Sequence, residues 1–326
     1  MSCDLHPWKG SYHSSVESNL FTRRGLLAGG ALLLASKLPA RQKLKIAIFS
    51  KHLQFVEGEE LAKTAAEIGF DGIDITARKG GHVEPASVAK DLPALVNAIR
   101  AAGLAVPMIT TDIADADTPF TEDLLKAASA LGIGYYRFGA YKWDAKRPYA
   151  VQIEEMRSRL AKLAALNARY RMCAIYHTHS GAGLVGASIW DLHEIMRDLD
   201  PKAIGINYDV GHATIEGGLG GWIASFRISG SHLRGIALKD FVWSKDAKGA
   251  WKEKWTPIGE GMVKLPQFFG MVAETDFDGP VQLHFEYPLG GANNGARQLT
   301  IPREQVVSAM KKDLTAVRAG LSQAGL

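Results

Sequence analysis

The 326-residue sequence holds ten histidines, and six of them sit in short polar runs that each follow an apolar, β-rich stretch. The runs are Lys51-His52-Leu53-Gln54, Arg78 with Gly80-Gly81-His82, Tyr176-His177-Thr178-His179, Asp209-Val210-Gly211-His212 and His284-Phe285-Glu286. Two further stretches end in Arg137 with Tyr141 and in Lys239-Asp240. Imidazoles beside carboxylates make a mixed nitrogen and oxygen shell suited to a divalent ion such as Mn, Mg, Co or Zn. The same groups, with a lysine among them, can take and return protons. Singly, each has a duller reading: a strand-end histidine is more often hydrogen-bonded structure than ligand, as expected for His193 and His232. What the duller reading leaves unexplained is that so many fall at the same end of different strands.

The elements that must position these residues alternate eight times after Lys43. Strands are expected at 44–50, 72–76, 106–111, 135–141, 172–177, 204–209, 235–239 and 280–286. Helical patterns lie between and after them, clearest where Ile153, Met156, Leu160 and Leu163 share a stripe and where Val306, Met310, Leu314, Val317 and Leu321 do. Eight strand-then-helix units predict a parallel sheet with right-handed crossovers that closes into a single-domain (β/α)8 TIM barrel. An open doubly wound sheet is the weaker alternative, because the first strand runs into Ser50-Lys51-His52 with no glycine-rich phosphate loop. In a barrel all the polar runs reach the C-terminal rim, where active sites form. Alternation then links residues: if Glu286 points inward so do His284 and Gln282, with Asp209 goes Asn207, and with Lys239 goes Ala237. The stretches after the fifth to eighth strands are expected as long loops, the seventh (241–264) carrying Trp243, Trp251 and Trp255 as a lid core or a sugar-stacking surface.

Composition narrows the field. Apolar residues make up 47% and charged residues 22%, ordinary for a globular chain and unlike a polytopic membrane protein. Residues 1–40 contain Arg23-Arg24 followed by a short apolar run from Gly25 to Ser36, which resembles a twin-arginine export signal and is too short for a stable membrane span. An uncleaved, anchoring N-terminus is the alternative. The expected domains are therefore a signal segment at 1–40 and a barrel at 41–326, with the export machinery as a partner and a periplasmic or secreted location. Setting the leader aside removes four basic and two acidic residues from the 38 and 34 of the chain, leaving a net charge of +2. Such a balance speaks against a nucleic-acid partner. Removing Cys3 with the leader leaves Cys173 alone, so stability must come from packing.

Together with Gly69-Phe70-Asp71-Gly72-Ile73-Asp74, Leu238-Lys239-Asp240 and Gly259-Glu260-Gly261, these runs resemble the sugar phosphate isomerase/epimerase family, with its xylose isomerase-like barrel. The resemblance covers about residues 43 to 320. It implies one divalent metal held by a fifth-strand Glu, a sixth-strand Asp, a seventh-strand His and an eighth-strand Glu. Asp209 and Glu286 match, while Tyr176, followed by His177 and His179, stands near the Glu position and Ala237 at the His position. The implied ligands are thus Asp209 and Glu286, completed by His179 or His177. Family epimerases use two metal-bound glutamates to remove and return a proton beside a carbonyl. Here Glu286 is one, and the second acid or base is expected from Lys239, His212 or a fifth-strand histidine. His52, Arg78, His82, Arg137, Tyr141, Glu260 and His284 are expected to bind substrate.

The implied function is a metal-dependent isomerase or epimerase acting on an unphosphorylated keto-sugar, a small carbohydrate. The same enediolate could instead expel a β-leaving group, giving a lyase or dehydratase on an inosose or 3-keto-glycoside. A non-catalytic carbohydrate-binding barrel is the reading of another class, and a DNA-repair nuclease is disfavoured by the charge balance. A homo-oligomer is compatible with all of these.

Overall fold

The computed structural model describes residues 43–326, so the expected leader and Cys3 lie outside the described residues. Ten strands occur in chain order: β1 Ile46–Phe49, β2 Gly72–Thr76, β3 Ala105–Thr110, β4 Tyr135–Phe138, β5 Cys173–His177, β6 Ile204–Asp209, β7 Leu233–Leu238, β8 Asp240–Lys245, β9 Trp251–Thr256 and β10 Val281–Leu283. Eight of them form a closed parallel barrel in which β10 lies between β7 and β1. These strands read as nearly unbroken apolar runs, such as Ile46-Ala47-Ile48-Phe49, because one face packs inside the barrel and the other against helices. β1 to β7 and β10 are the eight expected strands, with ends that differ by up to three residues and with β3 and β7 starting earlier than expected.

The outer helices bury the expected stripes apart from Ile153, which is half-buried. On the helix Tyr149–Tyr170, Met156, Leu160 and Leu163 are buried, and on Arg303–Gln323 Val306, Met310, Leu314, Val317 and Leu321 are. Each such side chain contributes about 1.5–3 kcal/mol of transfer free energy, and their contiguous burial fixes the ring of helices around the sheet. Among the described residues, no helix is long and apolar enough to cross a membrane.

Two stretches expected as loops are ordered. The segment after β6 begins with the helix Val210–Gly217, capped by Asp209, whose side chain accepts from the His212 N–H at 3.0 Å. A Cβ at Gly211 would lie 2.6 Å from Lys239 Cγ, so glycine is what lets this helix start against β7. The segment after β7 is an antiparallel hairpin, β8 paired with β9 from Asp240 opposite Thr256 to Lys245 opposite Trp251. Asp240 anchors it: its carboxylate accepts from the backbone N–H groups of Phe241, Gly259, Gly261 and Val263 at 2.9–3.0 Å. A Cβ at Gly261 would collide with that carboxylate.

Candidate active site

The C-terminal rim encloses a cavity of about 350 Å³. Side chains from β1, β5, β7 and the ends of β2, β4, β6 and β10 reach it, with Phe49 as part of its floor and Trp255 of the hairpin on its wall. A larger hollow at the opposite end of the barrel, lined by Lys43, Asp71 and Arg318 among others, lacks this clustering of histidines and carboxylates.

At the base of the cavity Lys239 Nζ stands 3.1 Å from Asp209 Oδ2, 3.9 Å from Glu286 Oε1 and 3.0 Å from His212 Nε2. Since an ammonium is a donor, His212 Nε2 accepts from it and His212 Nδ1 donates to Ser180 Oγ at 2.8 Å. That pairing requires a neutral imidazole, and burial with the Lys239 charge holds His212 well below its ordinary pKa. Burial alone would push Asp209 up, but the Lys239 charge and the His212 N–H bring it below the usual carboxylate range. Lys239 also lies 4.7 Å from the centre of the Trp255 ring, which meets His212 edge-on. Glu286 is reached from the other side by Lys51 Nζ at 3.5 Å.

Beneath these lies a buried polar layer. Asn207 Nδ2 faces His177 Nδ1 at 3.1 Å and Gln282 Oε1 at 3.0 Å, and His284 Nε2 lies 3.3 Å from the same Gln282 oxygen. The inward alternation expected for Asn207 with Asp209 and for Gln282 with His284 is what stacks this layer under the rim. His177 and His284 are stacked at 5.1 Å between ring centres. Burial and neighbouring positive charge, Arg137 for His177 and Lys239 for His284, keep both well below the ordinary histidine range.

Whether a divalent ion fits can be judged from donor atoms. Nitrogen or oxygen atoms of His177, Asp209 and His284 lie within 4.8 Å of one another, all three residues buried, and His52, His284 and Glu286 form a second such group. Asp209 Oδ2 is buried and lacks a hydrogen bond of good geometry; it meets Lys239 and His177 only as ion-pair contacts. An acceptor left in that state beside two imidazoles is a fitting ligand. The residues therefore fit a metal at His177, Asp209 and His284, with Lys239 as the charge that would have to yield.

The expected site residues divide. Glu286, Lys239, His212, His177, His284, Arg78 and Arg137 all face the cavity, and Asp209 lies directly behind Lys239. His179 also lines it but belongs to neither ligand group; its Nε2 faces Arg137 Nη2 at 3.4 Å, and burial pulls its pKa down to about 3. Four residues expected to meet substrate are occupied elsewhere. His52 is fully buried, with Nδ1 on the Ala292 carbonyl at 3.2 Å and Nε2 taking the Phe285 N–H at 3.2 Å, so its ring serves structure. His82 bonds Thr76 Oγ1 and the Val56 carbonyl outside the cavity. Tyr141 donates to the Ala114 carbonyl at 2.6 Å, and Glu260 points outward to Lys312 at 2.6 Å. Conversely Phe49, Lys51, Ser180 and Glu253 line the cavity outside the expected site residues, and Trp255, expected as part of a lid core or a sugar-stacking surface, lines it too. The Lys51 charge was visible in the sequence, and the alternation Trp251-Lys252-Glu253-Lys254-Trp255 was a usable strand signal.

Comparison with known proteins agrees with this architecture. No curated protein matches the chain significantly. Among solved structures, an L-ribulose 3-epimerase superposes with a TM-score of 0.62 at 13% identity, covering 86% of this chain and 95% of that one. A 3-keto-D-glucoside 4-epimerase from E. coli gives 0.61 at 16% identity, over 85% of this chain and 100% of that one. A xylose isomerase-like TIM barrel protein from Mycobacterium smegmatis, in complex with magnesium, gives 0.58 at 15% identity, over 85% and 98%. At such identities the likeness is one of fold. The family model described as xylose isomerase-like TIM barrel matches residues 62–306, three quarters of the sequence, and the chain belongs to that family.

Proposed function

We propose that the protein is a metal-dependent isomerase or epimerase that removes and returns a proton beside the carbonyl of an unphosphorylated keto-sugar. The observation that carries this reading is the approach of Lys239 and Glu286, 3.9 Å apart across one cavity, with Asp209 behind the lysine. A carboxylate and an ammonium so placed can act as base and acid on adjacent atoms of one substrate. Glu286 takes the proton from the carbon, the bonding pair moves onto the carbonyl oxygen, and Lys239 gives a proton to the enediolate carbon. Lys239 is then reprotonated through the hydrogen bonds that link it to His212 and Ser180, while Glu286 gives its proton up to solvent in the cavity, so that both groups return to their starting states. A divalent ion held by His177, Asp209 and His284 would supply electrostatic stabilisation of the enediolate oxygens. The second role that the family's epimerases give to a glutamate falls to Lys239.

The epimerases of the same fold support this reading, as does the cavity's size, which suits a monosaccharide. A lyase would share the first proton transfer and differ in losing a β-hydroxyl from the same enediolate. Incubation of the purified protein in deuterium oxide with a panel of keto-sugars and Mn, Mg, Co or Zn tests both. Deuterium in recovered sugar is expected for the isomerase or epimerase, and an unsaturated product for the lyase. Metal bound without either result would overturn proton abstraction. An export leader at 1–40, a periplasmic or secreted location and a homo-oligomeric state belong to the same proposal. Cell fractionation and sedimentation of the full chain test them.

A further inference from the structure

The charged groups around the cavity do not cancel. Lys51, Arg78, Arg137 and Lys239 all line it, against the carboxylates of Glu286 and of Glu253 on the exposed hairpin. Lys239 is matched by Asp209 at 3.1 Å and Lys51 by Glu286 at 3.5 Å. Among the described residues, neither Arg78 nor Arg137 has a carboxylate within 4.0 Å. Instead both guanidinium carbons lie over the ring of Phe49, at 5.6 and 5.8 Å from its centre, and Lys51 Nζ lies 5.9 Å from the same centre. Three cations thus crowd one ring. Cation–π attraction of about 0.5–2 kcal/mol each does not offset like-charge repulsion in a partly desolvated space.

The carboxylate whose charge acts most strongly on Arg137 is compromised. Asp74 is fully buried, both its oxygens accept from Thr110 Oγ1 at 2.8–3.0 Å, and burial pushes its pKa up to about 7 even though Arg137 and Arg78 oppose the shift. Arg137 remains charged at neutral pH, with burial lowering it to about 10. Among the described residues its one side-chain hydrogen bond is the 3.4 Å contact to His179, so most of its donors meet no acceptor there. Two arginine forks with free donors at the edge of a sugar-sized cavity match a planar or tetrahedral oxyanion.

We infer that the substrate carries an anionic oxygen group docked between Arg78 and Arg137 above Phe49, and that it is a keto-sugar acid bound by its carboxylate. The inference deepens the proposed function: the acid and base at Lys239 and Glu286 act on the carbonyl end while the arginines hold the charged end. Binding is its natural readout, since it stands apart from turnover. D-Gluconate and D-glucitol share a carbon chain and differ in a carboxylate against a hydroxymethyl group. Calorimetric titration of the full chain at low salt should give gluconate an affinity at least about tenfold above glucitol, equal to about 1.4 kcal/mol. The difference should shrink as salt rises. Arg78→Gln, at the rim, should erase it by lowering gluconate affinity toward that of glucitol, and Arg137→Gln is the second variant should the first perturb the fold. Equal affinities, no heat from gluconate at millimolar concentration, or a preference that survives both substitutions would overturn the inference while leaving the isomerase reading in place. Titration with inorganic phosphate separates the sources. Phosphate binding more tightly than gluconate, and lost in Arg78→Gln, would keep the anion site but overturn both the carboxylate assignment and the word "unphosphorylated" in the proposed function.

Discussion

Lys239 Nζ and Asp209 Oδ2 lie 3.1 Å apart with both side chains almost wholly withdrawn from solvent. The pair spans adjacent strands, Asp209 closing β6 and Lys239 following β7, in register through Asp209 opposite Ala237. Two opposite charges in such a place stabilise the fold only as a pair, because either alone would be a buried, uncompensated ion. Asp209→Asn should therefore lower stability by about 3 kcal/mol, and Asp209→Asn with Lys239→Met should recover most of that loss. Urea titrations of the two single variants and the double variant measure the coupling. Additive losses would show that the two residues act independently.

Glu286 occupies a different situation. It is partly exposed to the cavity, and its contacts to Lys51 and Lys239 are long, at 3.5 and 3.9 Å. Glu286→Gln should leave the melting temperature within a degree or two while lowering kcat about 10²–10⁴-fold, the usual worth of a general base. Solvent deuterium exchange into the substrate is the sharper assay, since it counts the proton transfer itself. Wild-type exchange in the glutamine variant would move the base elsewhere on the rim.

Ala237 is the test of the metal centre. Its register neighbours are Asp209 on one side and Gln282 on the other, and it shares the inward face of its strand with Lys239. A histidine there would add a ligand beside Asp209 at the cost of overpacking, about 1–3 kcal/mol. Ala237→His should raise manganese affinity about tenfold or more, seen as a larger manganese-induced rise in melting temperature. If manganese raises the melting temperature of both proteins equally, His177, Asp209 and His284 are not the metal ligands.

The barrel was legible because its signal is repetitive: eight apolar runs, each ended by polar residues, with helical stripes between. Which polar residues work together was less so. His52 and His284 stand at comparable strand ends, yet the 3-10 turn Ser50–Leu53 carries the His52 ring away to partners 233 and 240 residues distant, the Phe285 N–H and the Ala292 carbonyl. Spacing cannot reveal partners that far along the chain. Tyr141 likewise has a partner that local spacing does not show, its hydroxyl donating to the Ala114 carbonyl. Phe49 is the opposite failure: an apolar strand residue that reads as core but carries three cations on its ring. The hairpin β8–β9 left a signal that the loop reading passed over, alternating tryptophans on either side of Asp246-Ala247-Lys248-Gly249.

The buried histidines set the response to acid. His52, His177, His212 and His284 all have folded pKa values well below 6.5, with burial as the leading cause. Above pH 6.5 they are neutral in both folded and unfolded chains, and their stabilising contribution is complete. As pH falls below 6.5 the unfolded chain binds protons that the folded one refuses, so each histidine removes about 1.4 kcal/mol of stability per pH unit. Asp74, raised to about 7, and Asp313, raised to about 6, work in the opposite sense. Their folded forms hold protons that the unfolded carboxyls release above about pH 4, so they add stability as pH falls and lose it as pH rises through 6 to 7. The four histidines, joined by His179, His82 and His232, whose pKa values burial also lowers, outnumber the aspartates whose pKa values it raises, so stability falls as pH drops from 6 to 4. The urea midpoint of the metal-free protein should consequently drop steeply from pH 6.5 to 5 and change little from 7.5 to 8.5. Asp74→Asn should steepen the acid limb, because one of the opposing groups is gone. An unchanged midpoint at pH 5 would mean that the four imidazoles take up protons in the folded state, and that the neutral His212 acceptor on which the Lys239 contact depends is wrong.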